Sequence, residues 1–450
     1  MGSIVCIDRT TNIDIVMRKN ITHLLTAFAV LALASATSLC GQTVVIKLTT
    51  GMSVGKKINM DIAAKGALSI DGVKENAQAG DRYYTIQKQD ITITGDVTGL
   101  TIWDAKLTKL DVSGNTLLES LDCSGNELEA LDLSKNASLK ELRCQKNKIT
   151  ALDLTQCKNL ELIYCYSNKL QALNFKNNVK LATVYCGSNT LSSLDVSGCT
   201  DLSLLGCDNV GIDVLDVSKC TKLVTLFCPE NKLTSLDLSN NSELINVSCY
   251  DNKLTSLNVS GCNKLEVLDV HQNMLNTMEL PNSLTLKTVA VYLNKLKEDG
   301  MKKVVSTLPN YSGNKVDVKL IVLDSMKLKS DGSTVDENVF SKENVSATKA
   351  KNWTPYYRIA EDTYKEYTGI TAISEISTQE IVAYPNPATE NIQMRGLKPC
   401  STVTLRDLNG NLFYEAQSDA EGNITIDVAR MPRGYCLLSA NGKTIRLLLR

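Results

Sequence analysis

Residues 118–147 read LESLDCSGNELEALDLSKNASLKELRCQKN, and the first and last few letters of that stretch follow one rule. A leucine is followed after three positions by an aliphatic, two later by a cysteine and three later by an asparagine: Leu118, Leu121, Cys123, Asn126, then Leu139, Leu142, Cys144, Asn147. The rule repeats every 21 residues in both directions. Cysteine recurs at Cys165, Cys186, Cys207, Cys228 and Cys249, and Val270 and Val291 continue its column. The leucine column runs to Leu286, and the asparagine column to Asn294 with a single break at Val210. Between these units, LEALDLSKN (128–136) repeats the same grammar, and its final column reads Asn115, Asn136, Cys157, Asn178, Cys199, Cys220, Asn241, Cys262.

L-x-C and L-x-L alternate with period two, so each half-unit is expected to form a short strand with one face turned inward. About six apolar side chains per turn cannot offset the entropy of ordering 21 backbones. A single turn is therefore unstable, and stacking must supply both the ladder hydrogen bonds and the closed core. Buried asparagines would bond the turn backbones, and cysteine can stand in for them as a small group with a weak donor. Both half-units fit L-x-x-L-x-L-x-x-N/C, the leucine-rich repeat signature. The chain resembles bacterial internalin-type leucine-rich repeat proteins, and its cysteine column resembles the internalin J subgroup. That resemblance implies a surface protein that adheres to host or neighbouring cells or takes part in biofilm formation.

The expected fold class is mainly β: a solenoid of parallel 21-residue turns over 97–297, with an α/β cap behind it and a small β-sandwich at the end. Net charge is −1, from 48 basic and 49 acidic residues, which gives no footing for nucleic acid. No run of 18 apolar residues marks a membrane span in the mature chain. Only His23 and His271 are present, and His23 falls in a targeting segment. Cys-His and Ser-His catalysis and histidine-rich metal sites are thereby nearly removed, so no enzyme, cofactor or metal is expected. A chain with 15 cysteines bound for export would ordinarily suggest disulfides. The cysteine column replaces leucine in the core, however, and its thiols are expected to be reduced and buried. Bridges among second-half cysteines, such as Cys199 with Cys220, stay open, as does one between Cys400 and Cys436.

Residues 1–41 hold a secretory signal: MRKNITHLLTAFAVLALASA (17–36) has a basic start, an apolar core and a small-residue end, with Met1 or Met17 as the start. Cys40 follows Leu39, too large for the usual lipid-attachment motif. Residues 42–96 read as short strands with glycine turns, an N-terminal β cap for the exposed first turn, and Val97, Leu100 and Ile102 already occupy the repeat columns. In 298–360, KEDGMKKVVSTLP and ENVFSKENVSATKAKN (337–352) read as helices and VDVKLIVLD (316–324) and WTPYYRI (353–359) as strands. This is expected to be a C-terminal cap that continues the sheet. Residues 361–382 form a Thr/Ser/Glu-rich linker.

Residues 383–450 read as a small β-sandwich. Tyr384-Pro385-Asn386-Pro387, then Asp407 to Gly410, then Gly434-Tyr435 resemble the type IX secretion C-terminal sorting domain. The resemblance implies handling by that secretion machinery, then attachment to the outer cell surface or release.

Outward positions of the cysteine strands hold Tyr164, Tyr166, Tyr185, Phe227, Tyr250 and Tyr292, while matching second-half positions hold no aromatic. Those read Asp111, Asp132, Asp153, Asp195, Asp216 and Asp237, each followed by Ser or Thr two positions on. Rings confined to one face suggest recognition of a protein or glycan, whereas ring stacking that only stiffens the sheet is the plainer alternative. Gly187, Gly206 and Asp208 would leave a notch between Tyr185 and Phe227, beside the break at Val210. The expected contact set is Tyr164, Tyr166, Tyr185, Gly206, Asp208, Phe227 and Tyr250. A carbohydrate-capturing accessory protein or an enzyme acting on surface glycans is the alternative function. The aspartate row could attract calcium, but Asn174, Asn258 and Glu279 interrupt it. His271, beside Asp269, is expected on the solvated sheet face without a role.

Overall fold

The computed structural model describes residues 44–449 except 76–81, 282, 315, 325–335, 361–362, 369–381, 385–390, 396, 398–399, 408–411, 430, 432–433 and 441–442. The segment expected to be a secretory signal and Pro385, Asn386, Pro387 and Gly410 of the sorting motif lie outside these residues. Two units are distinguished, with the main break between Ala290 and Val291.

The first unit is the coil. The cysteine half-units form three-residue strands, among them Ser120–Asp122, Glu141–Arg143, Leu162–Tyr164, Thr183–Tyr185, Leu204–Gly206 and Thr225–Phe227, each paired in parallel with the next at a register of 21. The ladder continues past the strand ends: Cys123 N–H donates to Arg143 O, Cys144 N–H to Tyr164 O and Cys165 N–H to Tyr185 O, each at 2.8 Å. The first strand of this ladder, Val97–Thr101, takes Asp61–Ala64 along its open edge in antiparallel pairing. On the other side Val45–Thr50 covers Leu107–Asp111 in the same way. The N-terminal cap thus occupies both backbone edges that the first turn would expose.

All seven cysteines of the ladder column are fully buried and unbridged. Burial pushes the Cys144 thiol up to about 12, so these sulfurs stay protonated and inert. Cys157, Cys199, Cys220 and Cys262 are likewise buried and free, and Cys400 and Cys436 are not bridged.

The asparagine column ties each turn to the one before. Asn189 donates from Nδ2 to Cys165 O and Cys186 O, and its Oδ1 accepts from Leu170 N–H at 3.0 Å. Asn147, Asn252 and Asn273 repeat this three-way bond one turn at a time. The residue before each asparagine is left-handed, including Lys146 (φ 56°), Ser167 (φ 53°) and Glu230 (φ 56°). The chain thus bends sharply there, and the amide holds the bend.

The second half-units bend differently. An N–H at the end of each returns three residues to the last inward carbonyl, as from Asn136 to Leu133 O and from Cys157 to Leu154 O, both at 3.0 Å. Contrary to the expectation of a strand in every half-unit, among the described residues the second halves pair with one another only at Ser235–Asp237 with Ser256–Asn258, plus a bridge between Asn174 and Asp195. Here Asn178 donates from Nδ2 to Leu154 O and Cys157 O. The thiols of Cys157, Cys220 and Cys262 reach the carbonyl 24 residues back in the same way, at 3.9, 3.5 and 3.4 Å. The Oδ1 atoms of Asn136, Asn178 and Asn241 have no partner. This position uses only donation to carbonyls, which a thiol can also make, and that is why cysteine alternates with asparagine here and never does in the first column.

The second unit holds helix α1 (Glu298–Thr307) and helix α2 (Lys342–Ala350) with two parallel strands, Lys319–Asp324 and Thr354–Ala360. Helix α1 buries Met301, Val304 and Val305, and Lys351 closes its end by donating to the carbonyls of Val305, Ser306 and Leu308. Ser341 caps α2 by accepting from Asn344 N–H. Farther along, Val382–Tyr384, Asn391–Arg395 and Ile424–Asp427 make one antiparallel sheet. Leu412–Gln417, Thr402–Asp407, Gly434–Ala440 and Lys443–Leu449 make another. Ile392, Val403, Leu405, Ile426, Leu438 and Leu447 share a core. Tyr384, Asp407, Gly434 and Tyr435 of the sorting motif therefore lie on strands.

Candidate functional site

Three columns point outward from the cysteine sheet, because side chains alternate along each short strand. Just before the cysteines stand Thr101, Asp122, Arg143, Tyr164, Tyr185, Gly206, Phe227, Ser248 and Asp269. Just after stand Trp103, Ser124, Gln145, Tyr166, Gly187, Asp208, Pro229, Tyr250 and His271. The flanking column includes Leu162, Thr183, Leu204 and Thr225, all partly exposed.

The structure gathers the expected contact residues into two ring groups. Tyr185 meets Tyr164 edge-on at 5.6 Å and Tyr166 at 6.5 Å between centroids, and the guanidinium of Arg143 lies 5.4 Å from the centre of the Tyr164 ring. Phe227 meets Tyr250 edge-on at 6.4 Å, and Tyr250 stacks on His271 at 4.5 Å. Tyr164, Tyr185, Phe227 and Tyr250 are at most 9% exposed, so much of each ring serves its neighbours. Tyr166 is the partly exposed member. His271 is not simply solvated, as expected from sequence: its side chain is 16% exposed and its Nδ1 pairs with Asp269 Oδ1.

The notch expected between the ring groups is occupied. A side chain at Gly206 would run into the Tyr185 ring, and one at Gly187 into the Asp208 carboxylate. The two glycines are thus the room into which their neighbours fold. Burial raises the Asp208 pKa above the ordinary carboxylate value, and Glu230 adds to the shift. At Val210 the missing amide is partly compensated: Asn231 Oδ1 accepts from both Val210 N–H and Gly211 N–H, with Gly211 left-handed (φ 88°).

Trp103 is the residue of this face that the cysteine pattern misses. The first turn carries Ile102 in the cysteine column, and Asp104 N–H donates to Ser124 O just as Gly125 N–H donates to Gln145 O. Trp103 therefore shares a column with Ser124, Gln145 and Tyr166. It is 47% exposed. Its position directly after Ile102 is the sequence signal that would have found it.

The opposite half-units use their polar side chains on themselves. Asp132, Asp153, Asp195, Asp216 and Asp237 each accept from the N–H two residues on, at 2.8–3.0 Å. Hydrogen bonds to Ser134, Thr155, Ser197, Ser218 and Ser239 hold these carboxyls below the ordinary value. Among the described residues no three His, Cys, Asp or Glu side chains converge as a metal would need.

Residues 382–447 match the family model of the secretion system C-terminal sorting domain. A tail of this kind indicates export, with attachment to the surface or release. No described helix is long and apolar enough to cross a membrane. No curated protein sequence matches the chain. Among solved structures the chain is similar to the functional domain of InlJ from Listeria monocytogenes, which includes a cysteine ladder, at 21% identity over 80% of this chain and 93% of that one, with a TM-score of 0.49. The internalin inlF from the same organism gives 18% identity over 59% and 87%, with a TM-score of 0.37. A leucine-rich repeat protein of Leptospira interrogans gives 19% over 44% and 66%, with a TM-score of 0.32. These structural neighbours thus include InlJ with its cysteine ladder and an internalin, and the tail is of the sorting kind.

Proposed function

We propose that this chain is a non-enzymatic, adhesin-like recognition protein that meets a protein or glycan on a host or neighbouring cell through the outward columns of its cysteine sheet. Biofilm contact is the same chemistry between like cells. The observation that carries this reading is the division of labour between the faces. Rings and partly exposed Leu162, Thr183, Leu204 and Thr225 are held in register on one sheet. The aspartates of the other face are bound into their own turns. A rigid ladder presents such side chains with little entropy left to lose on binding. The chemistry of an enzyme finds no support in this sheet: its thiols are held protonated by burial, and its histidine is engaged by Asp269 and Tyr250.

The test compares the exported chain with two variants for binding to host and neighbouring bacterial cells by flow cytometry. Tyr166→Ser should weaken binding about ten-fold, or 1.4 kcal/mol, with unchanged melting. The triple change of Tyr164, Tyr185 and Phe227 to Ser should abolish binding and lower the melting temperature. Undiminished binding by both variants would retire the proposal.

A further inference from the structure

We propose that the N-terminal end of this sheet face carries a carbohydrate subsite, in which a pyranose ring lies on the indole of Trp103 and hydrogen-bonds to Asp122, Arg143 and Gln145. The inference rests on the recognition reading and names a class of ligand for it. Trp103 is 47% exposed on a face whose other rings, from Tyr164 to Tyr250, are mostly covered by one another. The two turns that follow it carry low or polar side chains in the same columns, Asp122 with Ser124 and then Arg143 with Gln145. Strand spacing places Gln145 about 10 Å from Trp103, and Tyr164 and Tyr166 stand one turn beyond. The columns thus run from an indole through two polar turns to tyrosines.

The polar groups suit a sugar. Asp122 accepts the Ser124 hydroxyl and N–H on one oxygen, Oδ1, and neither bond uses its second oxygen. Arg143 is steadied by Glu141 at 2.8 Å and by the Tyr164 ring, and a guanidinium has more donors than these contacts use. The Gln145 side-chain oxygen is shut off from water and has no hydrogen-bond partner. An amide acceptor left in that state is unfavourable, and a side chain that turns toward a ligand hydroxyl relieves it. A pyranose offers an apolar C–H face to the indole and hydroxyls around its rim to a carboxylate, a guanidinium and an amide. A charged peptide would find an ion pair already closed between Arg143 and Glu141.

The chain has two tryptophans. Trp353 is buried, with its Nε1–H bonded to Pro309 O, so acrylamide quenching of emission reports Trp103. The full exported chain should be titrated with lactose, chitobiose and maltose, then applied to a glycan array beside Trp103→Ala and Gln145→Leu variants. At least one sugar should shield Trp103 from quenching. Trp103→Ala should lower binding to the matching array glycan at least about ten-fold with unchanged melting. Gln145→Leu should weaken that binding while leaving the chain as stable or more so, an outcome a purely structural role for Gln145 would not give. Glycan binding undiminished by Trp103→Ala overturns the subsite. Binding to cells but to no glycan overturns the ligand class and leaves the recognition reading standing. Absence of any binding to cells or glycans overturns both.

Discussion

The two halves of each turn share one pattern of letters and end in two different bends. In the cysteine half the chain turns through a left-handed residue, and the asparagine that follows uses both ends of its amide, as Asn189 does toward Leu170, Cys165 and Cys186. In the other half the backbone closes its own turn, and the amide oxygen of Asn178 is left without a partner. The first arrangement leaves three residues extended and free to pair, so a continuous ladder forms. The second takes the last inward carbonyl into the turn, and strand pairing survives only in places. Identical spacing thus yields a continuously paired sheet on one side and mostly unpaired turns on the other, and what separates them is which atoms satisfy the bend.

The strongest way to break this comparison is at the amides. Asn189→Ala should cost on the order of 2–4 kcal/mol, because three buried backbone groups lose their partner. Asn178→Cys should cost within about 1 kcal/mol, since a thiol makes the one kind of bond used there. Asn189→Cys should fall between them, keeping a donor and losing the acceptor for Leu170 N–H. Urea midpoints at fixed m-value give all three. Equal costs for cysteine at 178 and 189 would contradict the account.

A second contrast lies in the carboxylates. Asp208 has its folded pKa raised by burial, so between that value and the unfolded value, near 3.8, the folded state binds more protons. Its presence therefore lowers stability at neutral pH, and the loss is recovered as pH falls. Asp195 has its folded pKa lowered by Ser197, so its stabilisation is present above about 3.8 and is lost as pH falls through the folded value. Asp208→Asn should raise the melting temperature at pH 7 and have little effect near pH 3. Asp195→Asn should lower it at pH 7 and lose its effect in strong acid. The smallest expected effect is at the left-handed bend: Lys146→Gly (φ 56°) should stabilise by about 0.5 kcal/mol, as relief of strain outweighs the added freedom of the unfolded chain.

The coil is legible in the letters because each inward column is filled in nearly every turn, from Leu118 to Leu286 and from Cys123 to Cys249, and burial leaves such columns few choices. The role of asparagine is legible for the same reason. The unused oxygen of Asn178 is not, although the alternation with Cys157, Cys199, Cys220 and Cys262 encodes it. The candidate site is legible only as a face. Gly187 and Gly206 read as missing side chains, and a missing side chain looks alike on paper whether the room stays open or is taken, here by Asp208 and Tyr185. Trp103 escapes because Ile102 stands where later turns carry cysteine.

The central claim is that the cysteine sheet meets the partner and the opposite half-units only support it. One bulky charge placed on each face of the same turn tests this directly. Thr183 is partly exposed on the sheet and Ser193 is exposed on the other half. Thr183→Arg and Ser193→Arg should melt alike, and Thr183→Arg alone should abolish binding to cells. Binding lost with Ser193→Arg and retained with Thr183→Arg would contradict the account.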